Sequence, residues 1–352
     1  YDEGRWNTLS EWIDVIPRPI LEGKPVLLLE RAKIHAERGE HAAALGLFER
    51  TERIFAAAED KSMAARALAM KGAVLRFQGN YHEAITQCQG AFALAAGNSR
   101  ADKLSSALAH KTIGTCLIML GQTTNGRHAL NLSLNLFEEL GFAQDSAMVH
   151  HDLGLSHEYA GDMEGAILHY KAALQSWEIL GNLSPWANTL NGLGVIYQQI
   201  GDYDQARPIL EEALNKARQA QDLRVEAYAL SSLADLYRDS HQLDEAERHY
   251  NQTHEIANRA HIGFIITYAL DGLGNIARLQ NDFQKARMRL IKALDRAIEY
   301  GSIFEKGLCC TSLGILENQQ EEFREAQLKL DNAIEMLEDS DNPLQLTRAL
   351  LH

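Results

Sequence analysis

The chain has 352 residues, with 34 Lys and Arg against 48 Asp and Glu, a formal charge of −14 and a pI near 5.5. So acidic a surface repels phosphate backbones, which argues against direct nucleic-acid binding, and no apolar run approaches the roughly 20 residues of a membrane span. Cys88, Cys116, Cys309 and Cys310 show no CxxC pairing and read as small buried residues of a cytoplasmic, reducing compartment.

Residues 1–24 read as a lead-in, and the first helix is expected to start at Pro25. From there one pattern returns eight times, anchored at Gly39, Gly79, Gly121, Gly161, Gly201, His241, Asn281 and Glu321. Six of the seven spacings are 40 residues and one is 42. Such a period signals a stack of like supersecondary units. Seven residues before each anchor stand Ala32, Gly72, Gly114, Gly154, Gly194, Ala234, Gly274 and Gly314. Five after it stand Ala44, Ala84, Gly126, Ala166, Ala206, Ala246, Ala286 and Ala326. Gly inside a helix costs roughly 1 kcal/mol against Ala, so six at one phase need a reason. Two helices crossing nearly backbone to backbone supply it. Larger groups follow nine after the anchor, from Phe48 to Leu330, and small ones again twelve after it, from Thr51 to Ala333. The unit is an antiparallel helical hairpin.

The fifth hairpin shows the pattern best: Leu193-Gly194-x-x-Tyr197, then Gly201-x-Tyr203, Ala206, Leu210 and Ala213. It resembles the tetratricopeptide repeat, and the resemblance covers about nine tenths of the chain. It implies an all-α superhelical solenoid of about eight 40-residue helical hairpins over residues 25–342. Residues 343–352 would begin a further helix, truncated. With Tyr1 opening the chain and no convincing C-terminal cap, a fragment of a larger protein is expected. The family's usual unit is about 34 residues; six more lengthen each helix by nearly a turn. Its proline after the second helix is replaced by a glycine at Gly141, Gly181 and Gly301, where a left-handed residue would end the helix. Gln221 and His261 hold the same phase as poorer stops. The segment Gly97–Lys103 reads as a longer loop, and Pro208 should kink the helix that carries it.

No enzyme is expected. Without convincing strands no phosphate loop has its context, and no nucleophile or acid pair has the required setting. His150, His151 and His157 lack the convergent spacing of a zinc site, so neither metal nor cofactor is predicted.

The first helices should line a concave face. Helical spacing, and the positions that peptide-binding tetratricopeptide domains use, select offsets −13, −10, −6 and −3 from the anchor. These give Arg76 and Lys111 in the second and third hairpins, and Asn188, Asn191 and Gln198 in the fifth. The sixth supplies Tyr228, Ser231, Asp235 and Arg238; the seventh supplies Tyr268, Asp271, Asn275 and Arg278. Side-chain amides pair with peptide backbone and guanidinium groups fork onto carboxylates, while Tyr228 and Tyr268 should stack. A protein, peptide or small inducer is the expected partner, with Asn191→Ala, Arg238→Ala or Arg278→Ala abolishing its binding at little cost in stability.

The opening adds a second resemblance. Trp12-Ile13-Asp14-x-Ile16-Pro17, then Pro25-x-Leu27-Leu28-Leu29, leads into Arg31-Ala32-x-x-x-Ala36-x-x-Gly39. It is similar to the junction before the superhelical sensor in STAND-class bacterial transcription activators. That resemblance implies a regulatory arm that binds an inducer or partner and biases an ATP-dependent switch, with self-association through the parent protein. Two other classes fit the repeats: Rap-type peptide-pheromone receptors, and peptide-binding adaptors resembling kinesin light chain or the Leu-Gly-Asn scaffolds.

Overall fold

A helix ends where its last carbonyls find donors other than the next turn. Each anchor supplies that end by entering the left-handed region, with φ of +74° at Gly39, +82° at Gly201, +59° at His241 and +62° at Asn281 and Glu321. The next N–H then reaches back across the turn, Asp202 to the Tyr197 carbonyl and Asp282 to the Ala277 carbonyl, each at 2.9 Å. That is the Schellman stop. The same residue opens the following helix: the carboxylates of Asp162, Asp202 and Asp282 accept from the N–H of Gly165, Gln205 and Lys285 at 2.9, 3.2 and 3.1 Å. Two residues therefore stop one helix and start the next.

The computed structural model describes residues 23–338, with 11–13, 15–16, 20–21, 346 and 349–351 toward the ends. Much of the expected lead-in and of 343–352 lies outside the described residues. Among the described residues eight helical hairpins follow one another. They pair α1 (Pro25–Glu37) with α2 (His41–Ala57), α3 (Lys61–Phe77) with α4 (Tyr81–Leu94), and α5 (Arg100–Met119) with α6 (Thr123–Leu140). Then come α7 (Ala143–Tyr159), α8 (Met163–Leu180), α9 (Leu183–Gln199), α10 (Tyr203–Ala220), α11 (Leu223–Asp239) and α12 (Leu243–Arg259). The last four are α13 (Gly263–Leu279), α14 (Phe283–Tyr300), α15 (Ile303–Gln319) and α16 (Phe323–Glu338). The fold is all-α, and the long period resides in the helices: α9 has 17 residues and α10 has 18. The chain forms two compact units, 1–156 and 157–352, dividing within α7.

In the N-terminal unit the small-residue contact is tightest between α5 and α6. A Cβ on Gly114 would stand 2.9 Å from the Gly126 carbonyl, and one on Gly126 would stand 2.8 Å from that of Gly114. Any side chain there forces the helices apart. Leu29, Ala32, Ala44, Phe48, Ala67 and Val74 form one core cluster and Ala65, Ala69, Cys88, Ala91 and Ala109 another. Burial pushes the Cys88 thiol up to about 12 and that of Cys116 to about 11, so both persist as unreactive packing groups. The segment expected as a loop through Lys103 is shorter. Ser99 caps α5 by accepting from the Asp102 N–H at 3.1 Å, and Asp102 accepts in return from the Ser99 N–H at 3.2 Å, a capping box. The Asp102 carboxylate also accepts from Ser62 Oγ at 2.6 Å, and it occupies the space a Cβ on Gly97 would need.

In the C-terminal unit the hairpins close in two ways. Where a leucine follows the anchor by nine, it fills the gap over its own hairpin's glycine: a Cβ on Gly194 or Gly274 would stand 2.6 Å from Leu210 or Leu290. Where a tyrosine takes that place, its ring reaches on to a glycine of the next hairpin, Tyr170 to Gly192 and Tyr250 to Gly272. The buried centre joins Leu210, Leu230, Leu233, Tyr250, Leu273 and Ile276. Gly181 and Gly301 end α8 and α14 left-handed, as do Gln221 and His261 at φ +55° and +56° despite their Cβ atoms. Pro208 lies on the exposed side of α10, which runs through it. Because Glu321 also holds φ +62°, Glu321→Gly should stabilise the chain by about 1 kcal/mol through relief of left-handed strain. A denaturant midpoint at or below wild type would refute that expectation.

Candidate functional site

Within the C-terminal unit four successive first helices form the walls of one groove of about 330 Å³. Its lining comes from α9 (Asn191, Val195), α11 (Tyr228, Ser231, Ser232, Asp235), α13 (Phe264, Ile265, Tyr268) and α15 (Phe304, Glu305, Leu308). The positions drift along the array. Offsets −10 and −6 serve in α9, and −17, −16 and −13 serve in α15, so the groove crosses the helices obliquely.

Five expected residues meet in it: Asn191, Tyr228, Ser231, Asp235 and Tyr268. Asp235 is its polar centre, accepting from the hydroxyls of Tyr250 and Tyr268, both at 2.5 Å, and from Arg238 Nη1 at 2.7 Å. Arg238 also donates to the Tyr250 hydroxyl at 2.8 Å and, through Nε, to Asp239 at 2.9 Å. Burial works against the Arg238 charge, but Tyr250, Asp235 and Asp239 hold its pKa well above the ordinary value. Burial likewise raises the Tyr250 phenol, with Asp235 adding to the effect. Tyr228 packs on Phe264, ring centroids 6.1 Å apart and tilted by 41°. Its phenol is raised by burial.

The remaining expected residues stand elsewhere. Asp271 and Asn275 are 4% and 2% exposed, lying in the contact between α13 and α15. Asn275 Nδ2 donates to Asp271 at 2.9 Å and to Ser312 Oγ at 3.0 Å, and Ser312 Oγ donates to Asp271 at 3.0 Å. These two are packing residues of the hairpin interface, because the next first helix covers them. Gln198 donates to Asp239 at 2.9 Å and Arg278 to Gln319 at 3.0 Å, tying each first helix to its successor. Asn188 is half-buried on α9, outside the groove lining. Arg76 and Lys111 belong to the N-terminal unit, the first with its guanidinium 4.1 Å from the Phe77 ring centre, the second donating to Met148 Sδ at 3.5 Å. Since Arg238 is built into an internal network, its truncation should cost stability, contrary to the sequence expectation. Phe264, Phe304, Glu305 and Leu308 were missed, although the two phenylalanines recur exactly one period apart at offset −17.

Among the described residues no group of three or more His, Cys, Asp or Glu is placed to hold a metal. His157 instead pairs with Asp162 at 2.8 Å and stacks on His169 with centroids 5.2 Å apart. No described helix is long and apolar enough to cross a membrane. The Asp235 carboxylate is saturated by its own chain; the rest of the lining is aromatic and aliphatic wall with Asn191, Ser231, Ser232 and Glu305 as its polar members.

The tetratricopeptide repeat profile matches residues 145–219, 186–259 and 225–299, and a second tetratricopeptide profile matches 25–50. Together they span half of the chain, which belongs to the tetratricopeptide repeat family. No curated protein matches it significantly in sequence. Among solved structures, a Rap protein complexed with competence and sporulation factor is similar at a TM-score of 0.66 and 13% identity, covering 96% of this chain and 92% of that one. A STAND protein with a tetratricopeptide repeat sensor, from Pyrococcus horikoshii, is similar at 0.61 and 18% identity, covering 81% of this chain and 43% of that one. BtubC from P. vanneervenii aligns at 0.52 and 18%, covering 66% and 92% respectively. At these identities the likeness is one of fold.

Proposed function

We propose that this chain is a non-catalytic ligand-binding tetratricopeptide domain, taking a peptide or small inducer in the groove of its C-terminal unit, and that it serves as the sensor arm of a STAND-type, ATP-dependent transcription regulator. The observation that carries the binding role is the groove itself: about 330 Å³ walled by four consecutive first helices, within the size range of small-ligand sites, roughly 300–1,000 Å³. The sensor role is supported by the junction motif at Trp12–Gly39 and by the likeness to the Pyrococcus STAND protein over 81% of this chain. A pheromone-receptor reading draws on the likeness to the Rap protein in complex with its factor, and it uses the same groove.

A sensor ligand acts only through unequal affinity for two states of its receptor. Native mass spectrometry of the full chain with a randomised hexapeptide mixture and an oligosaccharide panel tests the binding role. A retained species should be weakened at least about tenfold by Tyr228→Ala, the loss typical of a buried aromatic anchor. Retention that ignores Tyr228→Ala would sink the groove assignment. In the intact gene product, addition of that species should change ATP hydrolysis or oligomeric state. A species bound in the groove that changes neither would remove the sensor role and leave the binding domain standing.

A further inference from the structure

We infer that the occupant of this groove is a peptide presenting a lysine or arginine side chain next to an aromatic or large aliphatic one, the cation received by Glu305. The inference rests on the groove reading above and adds the chemistry of what fills it.

Charge comes first. The twelve lining residues include two carboxylates, Asp235 and Glu305, and no Lys, Arg or His. Asp235 is fully engaged by two phenols and a guanidinium. Glu305 is not. It stands in the first turn of α15, half-buried, where its own backbone N–H favours its charge. Burial accordingly pushes its carboxyl up. A carboxylate already stripped of part of its water, with no counter-ion among the described residues, gains more from an arriving cation than an exposed one, because part of the desolvation cost was met on folding.

The apolar part of the lining fixes the neighbour of the cation. Phe264, Phe304, Leu308, Ile265 and the Tyr228 ring line the same groove as Glu305 with hydrocarbon and aromatic faces. Aromatic faces attract an ammonium or guanidinium as well as a ring. The volume holds about two large side chains, so a cationic and an apolar one side by side fill it.

The test uses three doubly blocked hexapeptide pools with fixed central pairs and randomised flanks: Lys-Phe or Arg-Phe, norleucine-Phe, and Glu-Phe. Fluorescence anisotropy with the full chain should show the basic pool binding at least about tenfold tighter than the norleucine pool, the gain of one partly desolvated ion pair, with the acidic pool weakest. Glu305→Gln should bring the basic pool to the norleucine level and leave the norleucine pool unmoved, and Glu305→Asp should recover part of the difference. Equal binding of the basic and norleucine pools, or a basic preference that survives Glu305→Gln, overturns the inference. If in that case Phe264→Ala still weakens every pool, the groove reading stands alone. Binding indifferent to Phe264→Ala overturns both, and no binding by any pool overturns the inference while the oligosaccharide panel decides the groove reading.

Discussion

Asp235→Ala is expected to destabilise the C-terminal unit by about 2 kcal/mol, below the roughly 3–5 kcal/mol of a fully buried ion pair, because the Arg238 and Asp235 side chains keep 25% and 14% of their exposure. The carboxylate holds Tyr250, Tyr268 and Arg238 at 2.5, 2.5 and 2.7 Å. Removing it strands two phenols and leaves the guanidinium with Asp239 as its remaining carboxylate. Asp235→Asn keeps one accepting oxygen and should cost about half as much. Hydrogen exchange on the full chain localises the effect: amides of α11 and α13 should lose protection while those of α3 to α5 keep theirs, as nearest-neighbour coupling in repeat arrays requires. An Asp235→Ala chain within 1 kcal/mol of wild type would show that the network is ornamental to stability.

Gly272→Leu should cost at least as much. A Cβ at that position overlaps the Tyr250 ring edge, and the ring is fully buried with its hydroxyl tied to Asp235. Either the ring leaves or α13 shifts away from α12, so overpacking of about 1–3 kcal/mol adds to the hydrogen bonds lost with the phenol. The hairpins that carry leucine instead of tyrosine indicate the repair. Leu210 is followed by Ser232 and Leu290 by Ser312 at the place Gly272 holds after Tyr250. Tyr250→Leu combined with Gly272→Ser should therefore recover much of what Gly272→Ser loses alone, a coupling that a double-mutant cycle in thermal unfolding reads directly. Additive effects of the two substitutions would refute the pairing.

Much of the architecture was legible because it depends on side-chain volume at a fixed phase. Close crossing of helices excludes large residues seven before and five after each anchor, and all eight positions five after it are buried. The stops were partly hidden. His241, Asn281 and Glu321 adopt the same left-handed turn as the glycines, and only their place in the period marks them. Within the groove, helical spacing and the positions used by peptide-binding tetratricopeptide domains put Asn191, Tyr228, Ser231, Asp235 and Tyr268 on the inner face. It could not say how far each hairpin rotates on the one before. That rotation covers Asp271 and Asn275 with α15, turns Gln198 and Arg278 toward neighbouring helices, and brings Phe264, Phe304 and Glu305 into the lining. The offsets borrowed from a shorter unit ended at −13, one turn short of these residues.

Within the C-terminal unit the tyrosine and leucine closures alternate over four hairpins, Tyr170 with Gly192, Leu210 with Ser232, Tyr250 with Gly272 and Leu290 with Ser312, and the alternation ends at Leu330. Its modules are consequently not interchangeable one at a time. Excising residues 183–222 would bring the Tyr170 ring onto Ser232, where the vacant space it needs is occupied. Excising 183–262 would bring it onto Gly272, which leaves that space open. Over those four hairpins, shortening, lengthening or grafting thus respects an eighty-residue grammar, twice the visible period.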